Sequence, residues 1–556
     1  MPPSQKHVPD LRTSNVPIEV HKLTNIQGLQ EQAQAHWGLR RIQPFFPCIQ
    51  KLFKMETIRT PYPFGIKSRY GLQTISGPDR VFSGGVEQKV HLKKSMLFSS
   101  YNVMRGDYAG TGLPHSEDTR SARLQSPHNS AYVGSLASIL LSETGCPHFP
   151  KVYGVFSGVA EKHSIDISYD YEDLCDRSWF SQNIGHFFEL KIKSPDKIDL
   201  EDAEDGEVDL GVQDLPPLDV SASPAGAAGA PPVAEEVVSS DDEDDNDDED
   251  GSDEDEGGSY DSECSTDYCF EIRSRSSGGT TEPSDEPFDD PEDDDEGGFA
   301  HAVFKDAPIQ ITVMEQCEGT LYKLFKENPE VEKRCAWIAQ VIFALSFAQR
   351  TFGLVHNDLH VMNVMYVPTE KEFFYYNMAG AGKKTTYRVP TYGKLIKIID
   401  FDRATFSVKL PKLREAKFFM SDQFHQDEEA GGQYNVEPFY NPKYPEVKPN
   451  ASFDLVRLAA SVFWDCFPHG VSDEYATNPL YKMFMQWLTL PDGTSVLFRN
   501  AREGDKHERY GGFQLYKAIA RWSRDAVPRK QVEIFGSPYV FEGKVPAGED
   551  CLFVEV

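Results

Sequence analysis

The period of the apolar positions changes several times along the chain, and each change marks an element. Between Gln30 and Met55, Trp37, Leu39, Ile42, Phe46, Ile49, Leu52 and Phe53 recur at roughly helical spacing. Pro44 and Pro47 would interrupt any single helix there. From Tyr70 to Asn102 the pattern shortens to β-prone runs punctuated by glycine: Val81-Phe82, Val90-His91-Leu92 and Met96-Leu97-Phe98. Residues 126–143 read as a helix opened by Ser126 and Pro127. Two apolar runs, Lys151 to Phe156 and Ile309 to Met314, read as strands. The clearest helical pattern is 330–351, with Ala336, Ile338, Val341, Ile342, Leu345 and Ala348 on one side.

Polar positions divide the chain differently. Residues 159–197 carry aromatics without a clear period, and from 198 to 300 almost all apolar content is lost. Residues 201–300 hold 37 acidic residues and two basic ones, Arg273 and Arg275; the other 456 hold 51 acidic and 54 basic. The formal net charge of −32 therefore belongs to one segment, and the rest is near neutral. Such a segment cannot bury enough apolar area to offset ordering at ~1–2 kcal/mol per residue, so it is expected to be disordered. Apolar stretches such as Val341 to Leu345 fall far short of the ~18 residues that span a bilayer. The N-terminal MPPSQKHVPD lacks a basic head and apolar core, so no signal peptide is expected. Nine scattered cysteines without a CxxC pair point to neither a disulfide framework nor a zinc site. An intracellular, reducing location follows as the expectation, with no membrane partner and no direct nucleic-acid signal.

The chemistry begins where the long helix ends. His356-Asn357-Asp358-Leu359-His360-Val361-Met362-Asn363 places an acid and an amide five residues apart on one short loop. Phosphoryl transfer needs a carboxylate facing the acceptor hydroxyl and a nearby neutral oxygen that ligates Mg²⁺ without adding charge. Downstream, Leu395 to Ile399 is an apolar strand ending in Asp400-Phe401-Asp402. These strings match the H-x-D-L-x-x-x-N loop and the D-F-x counterpart of the D-F-G element.

At these residues the chain resembles the protein-kinase-like superfamily. The strings HNDLHVMNV, IIDFDRATF and PHFPKVYGVF look like those of the serine/threonine protein kinases of iridovirus-type large DNA viruses, enzymes of an infected cell. The resemblance implies an α+β, two-lobed kinase-like fold: a small β-rich N-lobe and a mostly helical C-lobe. Its parts would be an N-terminal extension at 1–69, an N-lobe with an insert at 70–197, and the disordered acidic insertion at 198–300. The last N-lobe strand and hinge would follow at 301–317, and the C-lobe at 318–556. It implies ATP as co-substrate and Mg²⁺ as cofactor, with Asp358 and His360 catalytic and Asn363 and Asp400 on the metal. Gly77, Lys93, Met314 (the gatekeeper), Glu315 and Cys317 would meet the nucleotide, and His356 and Asp454 would support the loop. The partner would be a protein substrate; the acidic arm would engage a basic partner.

Departures from the pattern keep alternatives open. No GxGxxG exists, and Gly77, Gly84 and Gly85 serve equally as phosphate cover or as turn formers. Strand alternation puts His91 and Lys93 on one face, with Lys94 as the fallback for the nucleotide lysine. Helix 127–142 contains no acid: Ala131 stands where a glutamate would pair with the lysine, and Glu117 and Glu143 lie outside it. His360 replaces the lysine two residues after Asp358, and Asp402 replaces the glycine of D-F-G. Both substitutions also fit small-molecule phosphotransferases of the aminoglycoside and choline kinase kind. A third alternative is a pseudokinase scaffold with an acidic interaction arm. The segment Glu370 to Gly393 is expected to add a hairpin between Asp358 and Asp400.

Overall fold

Why the apolar runs between residues 39 and 315 end up side by side is clear from their pairing. The computed structural model describes residues 20–22, 26–43, 64–66, 68–106, 126–168, 170–192, 300–380, 383–409, 415–426, 428–500, 507–549 and 551–555. Seven strands form one antiparallel sheet: β1 (Leu39–Gln43), β2 (Leu72–Gly77), β3 (Arg80–Ser83), β4 (Val86–Met96), β5 (Val152–Asp166), β6 (Phe188–Ile192) and β7 (Ala300–Glu315). Their order is β1-β5-β7-β4-β3-β2, with β6 also paired to β7. Helix α1 (Ile26–Trp37) belongs to this half: Leu29, Ala33 and Trp37 share a core with Val90, Phe156, Ile309, Ile311 and Val313.

Three boundaries differ from the sequence reading, each for a physical reason. The stretch assigned to an N-terminal extension supplies both α1 and edge strand β1, because Gly38 (φ 62°) turns the chain before Pro44 is reached. The two apolar strands continue far past their cores, β5 to Asp166 and β7 back to Ala300. Pairing of polar residues such as Lys162 with Lys305 carries them, and hydrophobic pattern does not report such pairing. Helix α2 (Ser130–Glu143) starts later than Ser126, because Asn129 is its N-cap and accepts from Ala131 N at 3.1 Å. The acidic insertion lies outside the described residues except for Ala300, as does Glu117.

The second half is mostly helical: α3 (Leu321–Glu327), α4 (Val331–Phe352), α5 (Phe453–Cys466), α6 (Pro479–Leu488), α7 (Phe513–Trp522) and α8 (Pro528–Phe535). One apolar core joins α2 to α4 and α5, with Leu136, Leu140, Ile338, Val341, Leu345, Leu455 and Leu458 all buried. Each such side chain contributes about 1.5–3 kcal/mol on burial. A short sheet pairs Gly319–Thr320, Val364–Pro368 and Lys394–Ile398 in that order. The expected hairpin is Phe373–Gly380 against Lys383–Pro390, and Cys551–Glu555 adds to it in parallel. The architecture is a mixed α+β fold. Among the described residues no helix is long and apolar enough to cross a membrane, and the six described cysteines form no disulfide.

Candidate active site

Two strand ends set the frame of the site. Val364 pairs with Ile398, and just beyond them Ile399 N donates to Asn363 O at 3.0 Å, so the loop 356–363 and the segment 399–403 lie together. His356 ties them a second time. Its Nε2–H donates to Ile399 O at 2.7 Å while Nδ1 accepts from Asp358 N at 3.3 Å, which fixes the tautomer of a ring with no exposed surface. Asp454, in the first turn of α5 and also fully buried, accepts from His356 N and Asn357 N, each at 3.0 Å. Ser461, two turns along the same helix, accepts from Val361 N at 3.0 Å. Asn357 sits at φ 67°, a left-handed position that asparagine tolerates, and Tyr434 OH donates to its Oδ1 at 2.6 Å.

The functional groups follow from that frame. Asp358 is buried, and burial alone would raise its pKa. Arg403, His360, Arg457 and a hydrogen bond from Tyr516 OH (2.8 Å) outweigh this and hold the carboxyl below its ordinary range. Burial pulls His360 down to about 4, so the ring is neutral. Its Nδ1 accepts from Met362 N at 3.3 Å, its Nε2 lies 3.0 Å from Asn363 Nδ2, and Asn363 Nδ2 donates to Asp358 O at 3.0 Å. That leaves Asn363 Oδ1 as the part of the amide available to a cation.

From the sheet above, Lys93 reaches down to 2.7 Å from Asp400 Oδ1 and 2.7 Å from Asp402 Oδ1. The two carboxylates outweigh the burial that opposes the charge, and the lysine pKa rises. Burial would raise Asp400, but Lys93 drives it down to about 2; burial and its neighbour Asp400 push Asp402 up. One ammonium between two carboxylates leaves excess negative charge on hard oxygen donors, the chemistry that suits Mg²⁺. Among the described residues no cluster of three or more His, Cys, Asp or Glu could hold a metal alone. Mg²⁺ commonly takes one or two protein oxygens and completes its shell from phosphates and water.

Helix α2 brings no acid to Lys93 at Ala131 or Glu143. Ala131 is packed into the apolar core, and Glu143 at the helix end accepts from Arg69 N. Lys93 pairs across the strands with Thr312, whose hydroxyl is 2.7 Å from Ser135 of α2. Next to Ser135 is Gly134, and a Cβ there would lie 2.9 Å from Asp402 Cγ. The bare helix surface lets Asp402 take the place beside Lys93. A glycine inside an otherwise helical run, costing about 1 kcal/mol relative to alanine, was the available signal for this close approach.

The remaining candidates fall at varied distances from this centre. Met314 pairs with His91 and so shares the Lys93 face of the sheet. Glu315 N donates to Lys151 O at 2.8 Å, and its carboxylate accepts from the buried Lys397 Nζ at 2.8 Å. Cys317 is buried, and burial pushes its thiol up to about 12. Gly77 ends β2 at its turn into β3, while Gly84 and Gly85 (φ 60° and 78°) form the next turn. Asp358, Asp400, Asp402 and Arg403 line one cavity of about 360 Å³ with Lys94, Asp422 and Glu429. Sequence reasoning gave no role to Arg403, Tyr516 or Gly134. Arg403 and Tyr516 meet Asp358 across 45 and 158 residues, and Gly134 meets Asp402 across 268, separations that no local motif encodes.

No known family model matches this chain. A stretch of 73 residues is 33% identical to the uncharacterized protein ZK177.2 of Caenorhabditis elegans, covering 13% of this chain. The match spans 23% of that protein's length.

Proposed function

We propose that this protein is a phosphotransferase of the protein-kinase-like superfamily. More particularly, we propose that it transfers the γ-phosphoryl group of ATP to serine or threonine hydroxyls of proteins, as the resemblance to the iridovirus-type kinases implies. The observation that carries this reading is that Asp358 and Asp400 line one cavity, with Lys93 paired to Asp400, Asn363 bonded to the Asp358 carbonyl, and the loop backbone held by Asp454. The two-lobed kinase-like fold is part of the same proposal.

Asp358 would orient the acceptor hydroxyl and take its proton as the oxygen–phosphorus bond forms. The bond from the γ-phosphorus to the bridging oxygen breaks, and its electron pair leaves with ADP. Asn363 and Asp400 would hold Mg²⁺, which supplies charge neutralisation at the phosphates. Lys93, anchored by Asp402, would orient the α- and β-phosphates. The Asp358 carbonyl, accepting from Asn363 Nδ2, would keep the amide turned so that Oδ1 faces the cation. Met314, Glu315 and Cys317 would border the adenine, and the turn at Gly77 would cover the phosphates.

The test is transfer from γ-labelled ATP to casein, histone and small alcohols, with an Asp358→Asn control. The reading predicts label on protein serine or threonine, lost by at least about 10³-fold in the control. Label on small alcohols alone would favour a small-molecule acceptor. No label on any acceptor would favour the scaffold.

A further inference from the structure

In the kinase pattern a lysine stands two residues after the catalytic aspartate; here that position is His360, whose neutral ring brings no charge. Two arginines occupy the surroundings instead. Arg403 Nη1 is 3.9 Å from Asp358 Oδ2, and its other nitrogens are held by Gln423 (2.9 Å) and Glu429 (3.3 Å). The other oxygen, Oδ1, accepts from Tyr516 OH at 2.8 Å, across 158 residues of chain. Arg457 lies over the face of that same tyrosine, its guanidinium carbon 4.8 Å from the ring centroid.

Arg457 has no exposed surface, and Nε, Nη1 and Nη2 have no hydrogen-bond partner among the described residues. Its charge is compensated without hydrogen bonds, by the nearby carboxylates of Asp358 and Glu508, and what the guanidinium itself covers is the ring of Tyr516. A cation over a phenol ring holds it in place and draws electron density from the hydroxyl, which makes the O–H a stronger donor. Arg457 is on α5, one turn after Asp454, so a single helix supports both the loop backbone and the tyrosine beneath the carboxylate.

We propose that Tyr516, held by Arg457, is a positioning residue for Asp358: it pins Oδ1 so that Oδ2 is presented to the acceptor hydroxyl. The proposal rests on the phosphoryl-transfer reading and adds to it the group that replaces the absent lysine. Charged and titratable neighbours of Asp358 come from every side: His356 and His360 on its own loop, Asp400, Asp402 and Arg403 on the adjoining segment, and Asp454 and Arg457 on α5. The test therefore reads rate and binding separately and does not use pH.

Tyr516→Phe in the full chain should lower kcat for transfer by about tenfold to hundredfold, the usual effect of loosened positioning, with KM for MgATP unchanged. Arg457→Lys should retain most of the rate, and Arg457→Met should fall to the Tyr516→Phe level. The double variant Asp358→Asn/Tyr516→Phe should be no slower than Asp358→Asn alone, because the tyrosine acts only through the aspartate. If Arg457→Met fails to fold, Tyr516→Phe and the double variant still decide. A Tyr516→Phe protein with kcat within twofold of wild type, beside an inactive Asp358→Asn, overturns this proposal and leaves the phosphoryl-transfer reading standing. An Asp358→Asn protein that keeps its rate overturns both.

Discussion

The loop 356–363 and the lysine strand meet at one cleft but are held in different ways. The loop is held mainly through its backbone: Asp454 and Ser461 of a single helix bind it, and His356 ties it to the neighbouring strand end. Lys93 is fixed by an assembly of three distant segments. Its strand supplies the ammonium, Asp400 and Asp402 the carboxylates, and Gly134 of α2 the space. The first arrangement concentrates its stability in one buried carboxylate. The second spreads it over contacts that depend on close approach, so small steric changes should reach function before they reach stability.

The largest effect is expected at Asp454. Asp454→Asn puts an amide N–H against one of two buried backbone donors and should cost about 2–4 kcal/mol of stability, with transfer falling at least about hundredfold. Urea unfolding and rate measurements check this together. A variant that loses neither would break the contrast, since the loop would then not depend on one helix.

Gly134→Ala comes next and separates the two regions most cleanly. Helix propensity alone predicts stabilisation by about 1 kcal/mol. The new Cβ should instead displace Asp402 from Lys93 and lower transfer about tenfold or more while the melting temperature changes little. Adding Asp402→Gly should relieve the clash without restoring the rate, because the lysine anchor is still missing. Full activity in Gly134→Ala would show that the anchoring carboxylate is unnecessary.

This contrast also explains what could be read from the sequence. That Asp358, Asn363 and Asp400 belong near one another could be read because the loop and the strand end each carry these groups within a few residues. Strand alternation placed His91 and Lys93 on one face, and they pair with Met314 and Thr312 of β7. The partner of Lys93 was not legible from spacing, since Asp402 and Lys93 are 309 positions apart and a glycine on a third segment decides whether they touch. The edge strand Leu39–Gln43 was hidden for a similar reason. Only its pairing with β5 distinguishes it from the helical run that Trp37 and Ile42 suggested.

A smaller effect concerns the strand that leads to Asp400. His148 donates from Nδ1 to Ile396 O at 3.0 Å, and its Nε2 accepts from Tyr376 OH at 2.8 Å. Burial pulls its pKa down to about 4 from 6.5. The folded state binds fewer protons between those values, so this contribution is complete above pH 6.5 and is lost as pH falls from 6.5 toward 4. It amounts to about 3 kcal/mol at most, and His148→Phe should flatten the stability profile over that window. An unchanged profile would place the acid sensitivity elsewhere.

At the centre of the proposed function, Asn363 and Asp400 hold the metal and Lys93, anchored by Asp402, meets the nucleotide. Calorimetric titration with ATP, in Mg²⁺ and in EDTA, tests it most directly. Wild type should bind ATP tightly only with Mg²⁺, and Asp400→Ala should lose that dependence, because the charge that holds the cation is gone. An Asp400→Ala protein that binds MgATP as tightly as wild type would contradict the assignment.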